Sequence, residues 1–128
     1  MNGQNPLVSI IMNCYNSDRF LIEAIDSIYT QNYQNWEIIF WDNNSTDRSA
    51  EIAQTYDSKL KYYKATHTTP LYEARNLALD KCCGDYVAFL DCDDTWIESK
   101  LDRQVDLALK GCDIVYGGYD VVDASGSI

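Results

Sequence analysis

Short apolar runs alternate with amphipathic stretches along the chain, and that alternation predicts its elements before any residue is given a role. Leu7 to Met12, Trp36 to Trp41, Leu60 to Lys64, Tyr86 to Leu90 and Asp113 to Tyr116 are rich in β-branched and aromatic residues, several of them apolar at consecutive positions. Runs of this kind are buried on both faces, as in a parallel sheet. Between them, Phe20, Leu21, Ala24, Ile25 and Ile28 form one stripe at helical spacing, and Ile97, Leu101, Val105 and Ala108 form another. A third stripe is Leu71, Ala74 and Ala78. Each is expected to pack on the sheet. The whole reads β-α-β-α-β-α-β-α-β.

Boundary residues add detail. Thr69 with Pro70 fits the N-cap and first-turn positions of a helix, Thr95 with Glu98 fits a capping box, and Gly84 and Gly111 are placed to close helices. Right-handed crossovers turn such a pattern into a doubly wound α/β sheet. Its ligand site lies beyond the carboxyl ends of the strands, where the chain order reverses.

With 128 residues, 46% of them hydrophobic, there is core for one domain and no more. No internal repeat or linker-like run divides it. The early apolar run Leu7 to Met12 is only six residues long and follows uncharged residues, so no secretory leader is expected, and no stretch approaches membrane-spanning length. Five cysteines, an odd number without a CxxC pair, suit a reducing cytoplasm better than a disulfide framework or a zinc site. The formal charge of −10 repels phosphate backbones and anionic lipid, which argues against nucleic acid and against direct membrane docking by this segment. A phosphorylated ligand would need a cation between itself and the protein.

Polar groups gather just after the predicted strands: Asn13-Cys14-Tyr15-Asn16, Asp42-Asn43-Asn44-Ser45-Thr46-Asp47 and Asp91-Cys92-Asp93-Asp94. Neither a GxGxxG turn nor a GxxxxGKS/T loop follows the first strand, which removes the two commonest backbone cradles for phosphate. The Asp91-Cys92-Asp93 triplet offers another route. Alternate residues at a strand end project two carboxylates to one side, and hard oxygens suit Mg²⁺ or Mn²⁺. Against this stands a plainer reading, in which Asp93 or Asp94 caps a following helix. Asp42 either accepts a hydrogen bond from the N–H edge of a pyrimidine or closes an Asx turn. Asn44, Ser45, Thr46 and Asp47 read mainly as caps. Tyr15 offers a ring for stacking, or is one packing tyrosine among ten. Arg75 either reaches a phosphate or pairs with Glu73 or Asp80 at the surface. His67, the single histidine, reads as an exposed loop residue.

Taken in order, the blocks Val8-Ser9-Ile10-Ile11-Met12-Asn13-Cys14-Tyr15-Asn16, Trp41-Asp42-Asn43-Asn44-Ser45-Thr46-Asp47, Ala74-Arg75-Asn76 and Phe89-Leu90-Asp91-Cys92-Asp93-Asp94 resemble the family 2 inverting glycosyltransferases, enzymes of the GT-A fold. The resemblance covers nearly the whole chain. It implies that residues 1–128 are the nucleotide-sugar-binding part of such a domain, with a nucleotide-diphosphate sugar, most simply a UDP-sugar, as donor and a glycan or lipid-linked acceptor. It also implies that Asn13 and Tyr15 line the nucleotide, Asp42 binds the base, Arg75 approaches the ribose or diphosphate, Asp91 contacts the ribose, and Asp93 holds Mn²⁺ or Mg²⁺. The carboxylate base that deprotonates the acceptor is expected outside this chain. A cytoplasmic enzyme is implied, with any membrane association supplied by further parts. In two places the chain departs from the family pattern: Asn13-Cys14 stands where Pro-Thr is usual, and Asn43-Asn44 where Asp-Gly is usual. A binding module without chemistry is the alternative. A phosphoacceptor receiver domain is excluded, since it needs acidic residues after its first and third strands and a lysine after its last.

Overall fold

The computed structural model describes residues 5–115. Four strands, β1 (Val8–Cys14), β2 (Trp36–Asp42), β3 (Leu60–Lys64) and β4 (Tyr86–Phe89), alternate with four helices, α1 (Asp18–Tyr29), α2 (Ser49–Ala53), α3 (Leu71–Leu79) and α4 (Lys100–Leu109). All strand pairs are parallel, in the order β3-β2-β1-β4. The chain thus builds outward from β1 to β3, then returns to add β4 on the other side of β1. The order reverses between β1 and β4, as the doubly wound reading requires.

The continuous apolar runs are explained by this layering. Every residue of β2 is buried, and β1 is buried except at Asn13, which is partly exposed. On one face, Ile10, Met12, Ile38 and Phe40 pack with Leu21, Ala24, Ile25 and Ile28 of α1, Ile52 of α2, and Leu101 and Val105 of α4. On the other, Ile11, Ile39 and Trp41 meet Ala74 and Ala78 of α3, whose short side chains let that helix approach the sheet closely.

Several boundaries differ from expectation. β1 runs on through Asn13 and Cys14 because both continue the ladder to β2, opposite Trp41 and Asp42. Of the predicted fifth strand, Asp113, Ile114 and Val115 are irregular, and Tyr116 lies outside the described residues. Ile97 precedes α4 and is 67% exposed, so only Leu101, Val105 and the partly buried Ala108 of that stripe face inward. Thr95 and Glu98 do not cap α4, which starts at Lys100. A long-range partner does that work instead: buried Gln31, just past α1, accepts from Leu101 N–H at 3.0 Å and donates to the Ile97 carbonyl at 2.6 Å. Sequence spacing cannot reveal a cap that comes from 70 residues away. Likewise Pro70, not Thr69, holds the N-cap position of α3, and Leu71 is half exposed. Gly111 follows α4 at φ 104°, as a helix-closing glycine should.

Gly84 has a different role from the one its position implied. It lies beyond the end of α3, where an added Cβ would stand 2.7 Å from Ser9 N and 2.8 Å from the Leu7 carbonyl oxygen. Both atoms are backbone, so neither can move aside cheaply. Gly84→Ala is therefore expected to cost about 2–3 kcal/mol, seen as a lower midpoint in urea unfolding; an unchanged midpoint would show that the β1–β4 edge relaxes freely.

Candidate functional site

At the carboxyl edge of the sheet, the loops after β1 and β2 are tied together. Asn16, at φ 48°, donates its N–H to Ser45 Oγ at 2.9 Å, and its Oδ1 accepts from Thr46 N–H at 2.7 Å. Asp47 accepts from Asp18 N–H at 3.1 Å, at the first turn of α1, and Asp18 accepts from Arg48 N–H at 3.2 Å. The polar run from Ser45 to Asp47 is thus structural, as read, though its caps serve the neighbouring helix as well as its own. Asn44 sits at φ 68°. A left-handed position explains why this chain can carry asparagine where the family pattern has glycine, since Asn tolerates that region better than other side chains.

Asp42 is fully buried; its Oδ2 accepts from Tyr62 OH at 2.5 Å and its Oδ1 from Ser45 N–H at 2.8 Å. Burial, followed by the Asp42 carboxylate, pushes the Tyr62 phenol well above its ordinary pKa, so it stays a donor. In this conformation Asp42 closes the turn after β2. Contact with a base would require that carboxylate to become accessible.

Asn43 reaches across to the segment before α3. Its Oδ1 accepts from Thr69 N–H at 3.0 Å and its Nδ2 donates to the Thr69 carbonyl at 2.7 Å. An aspartate, usual here in the family pattern, has no donor for that second bond. The clasp forms one wall of a cleft of about 200 Å³, which Asn13, Tyr15, Thr68, Leu71 and Ala74 also line. Tyr15 is 53% exposed at its rim, free to present its ring. Of the segment Thr66 to Thr69, which sequence reasoning treated only as a histidine-bearing loop and a cap, Thr68 and Thr69 prove to line the cleft. His67 itself is exposed, as expected.

Beyond β4 the chain turns at once. Asp94 N–H donates to the Asp91 carbonyl at 3.1 Å, and Cys92 is buried with its thiol 3.4 Å from the Asn13 carbonyl. Asp91 and Asp93 therefore point to solvent while the residue between them turns inward, by way of a tight turn and not by strand alternation. Asp94 joins them: one carboxylate oxygen from each of Asp91, Asp93 and Asp94 lies within 4.8 Å of the others. Partial burial and the charges of Asp93 and Asp91 push the Asp94 pKa up. Three exposed carboxylates with no lysine or arginine paired to them among the described residues form an all-oxygen donor set short of positive charge, which fits Mg²⁺ or Mn²⁺. The plainer reading, in which Asp93 or Asp94 caps a following helix, does not hold, since that helix begins only at Lys100.

Arg75 is exposed on α3 and its guanidinium lies over the Phe89 ring, 5.7 Å from the centroid, two residues before Asp91. The alternative of a surface pairing with Glu73 or Asp80 is not formed among the described residues. The cation is thus held toward the carboxyl end of β4. A separate cavity of about 90 Å³, between β4 and α4, is lined by Val8, Ala88, Leu101 and Val105 and holds none of these groups.

Comparison with known proteins accounts for the arrangement. The profile described as Glycosyl transferase family 2 matches residues 9–127. An Escherichia coli protein described as UDP-Glc:alpha-D-GlcNAc-diphosphoundecaprenol beta-1,3-glucosyltransferase WfgD is 36% identical over 119 residues, covering 91% of this chain and 47% of its own length. TarS of S. aureus, residues 1–349, solved with UDP-GlcNAc, superposes with a TM-score of 0.75 at 28% identity, over 80% of this chain and 31% of that one. The mannosyltransferase PcManGT of Pyrobaculum calidifontis, solved with GDP-Man and Mn²⁺, gives 0.66 at 29% identity, over 72% and 29%. The chain spans about half the length of WfgD and of TuaG from Bacillus subtilis. Its parallel sheet with helices on both faces is the GT-A architecture, and the chain belongs to glycosyl transferase family 2.

Proposed function

We propose that this chain is the donor-binding part of an inverting glycosyltransferase that takes a UDP-sugar with Mn²⁺ or Mg²⁺ and serves a glycan or lipid-linked acceptor. The observation that carries the reading is the carboxylate triad Asp91, Asp93 and Asp94 just past β4, at the strand-order reversal, with the Arg75 guanidinium over Phe89 two residues before Asp91. Related proteins add support: TarS is solved with UDP-GlcNAc, PcManGT with Mn²⁺, and WfgD is described as using UDP-Glc.

Each residue then has a task. Tyr15 stacks on the base at the cleft rim, Asn13 lines the cleft, and Asp42 fixes the turn beneath it and meets the base only if that turn shifts. Asp91 faces the ribose, Asp93 is the principal metal ligand, and Asp94 completes the oxygen set. When bound, the cation offsets the charge that develops on the departing diphosphate. Arg75 adds a second positive group on the same side. The acceptor base is assigned to no residue described here. No helix among the described residues is long and apolar enough to cross a membrane. The donor-site reading is that of a cytoplasmic enzyme, with any membrane association supplied by further parts.

Calorimetric titration with UDP, GDP and CMP, each with Mn²⁺ and with chelator, tests this. Metal-dependent binding of UDP is expected. Equal, weak binding of all three regardless of metal would remove the assignment.

A further inference from the structure

Two buried N–H donors on neighbouring strands have no partner among the described residues. Asn13 Nδ2 and Trp41 Nε1 are shielded from solvent and unbonded among the described residues. Asn13 and Trp41 are register partners on β1 and β2, each two residues beyond Ile11 and Ile39, so they share the sheet face that packs on α3. A third such donor, Trp36 Nε1, belongs to the opposite end of β2. Buried donors are nearly always satisfied in native proteins, so two unpaired ones on neighbouring strands call for an acceptor beyond the described residues, a ligand or an ordered water. Asn13 also lines the cleft with Tyr15, Asn43 and Thr69. Asn43 spends both ends of its amide on Thr69, so it is no acceptor for Asn13 Nδ2.

Resting on the donor-site reading above, we propose that Asn13 is a specificity-determining residue: its carboxamide, whose Nδ2 is sealed in this conformation, turns into the cleft it lines and donates to a carbonyl oxygen of the pyrimidine base. Proline, usual at this position in the family pattern, has no side-chain donor, so the contact is one this chain adds. Uracil carries two carbonyl oxygens and fits beside the Tyr15 ring; adenine carries none and presents only ring nitrogens and an amino group.

The test is titration of the chain and its Asn13→Ala variant with UDP, ADP and inorganic pyrophosphate, all with Mn²⁺, alongside urea unfolding. Asn13→Ala should weaken UDP binding about tenfold, the size expected for one well-placed hydrogen bond, and leave ADP and pyrophosphate unchanged. Stability should hold or rise slightly, since the variant removes an unsatisfied donor. Asn13→Asp, of equal size but without the donor, should lose UDP affinity at least as much. If the unaltered chain prefers UDP and Asn13→Ala keeps that preference, Asn13 does not read the base and the donor-site reading stands alone. An equal loss for pyrophosphate, or lower stability, would make Asn13 a structural residue. If the unaltered chain binds UDP no better than pyrophosphate, the donor-site reading falls and this contact with it.

Discussion

Asp93→Ala is expected to lower Mn²⁺-dependent affinity for UDP by about a hundredfold, close to 2.7 kcal/mol, while the unfolding midpoint stays nearly where it was. The two halves of that expectation come from different parts of the geometry. Asp93 is exposed and accepts no hydrogen bond that holds the fold, so its loss leaves packing intact. Its carboxylate belongs to a three-oxygen set, however, and a cation retained by two carboxylates is bound far less tightly than by three. Asp91→Ala should behave similarly. Arg75→Ala should cost less, about tenfold, because an exposed guanidinium meets the diphosphate in partly screened surroundings. The measurement is titration with and without chelator. A variant of Asp93 that keeps metal-dependent UDP binding would mean that the triad does not hold the cation.

Glu37→Ala is expected to destabilise the chain by about 3–5 kcal/mol, the cost typical of breaking a buried ion pair from one side. Glu37 is 4% exposed, one residue into β2 and opposite Ser9 of β1. Its Oε2 accepts from Ser9 Oγ at 2.5 Å and Cys83 N–H at 2.9 Å, and its Oε1 accepts from Lys61 Nζ at 2.6 Å. Ser9 Oγ in turn accepts from Gly84 N–H at 2.8 Å. One carboxylate thus joins β1, β2, β3 and the α3–β4 connection. Lys61→Ala should cost only about 1 kcal/mol by comparison, because the lysine side chain is 43% exposed and water replaces much of what it provides. Burial by itself would raise the Glu37 pKa, but the bonds from Lys61, Ser9 and Cys83 outweigh it and the net shift is downward. A carboxylate with a depressed folded pKa stabilises fully above its unfolded value, near 4.3, and loses that contribution as the pH falls through the folded value. Urea midpoints should therefore be flat in this respect above about pH 5 and fall below it, and the fall should be shallower in Glu37→Gln. Identical acid profiles for the two would assign acid sensitivity to other carboxylates, of which Asp47, held low by its bonds from Ser49 and Asp18 despite some burial, is the first alternative.

The sequence carried the frame of this protein because the frame rests on periodicity. Leu21, Ala24, Ile25 and Ile28 had to lie on one side of a helix, and the apolar runs around Ile10 and Ile38 had to be covered on both faces, whatever their neighbours. Parallel order, the reversal at β1 and the position of Asp91 and Asp93 beyond a strand follow from that pattern and from short right-handed connections. Four spaced blocks of residues sufficed to recognise the family. What the pattern could not hold were bonds between distant residues. Thr95 and Glu98 have capping spacing, yet Gln31 caps α4 from the far end of another helix. Gly84 has the place of a helix terminator, yet it is small because Ser9 and Leu7 lie against it. Asp94 and Asn43 became parts of the candidate site only through a turn and a reach across loops. Local spacing encodes interactions whose geometry the backbone repeats every turn or every second residue, so it determined the elements and their order. Which polar atoms pair, which stay unpaired as at Asn13, and which carboxylates share one space depend on contacts between chain segments brought together by folding, and only the tertiary structure decided those.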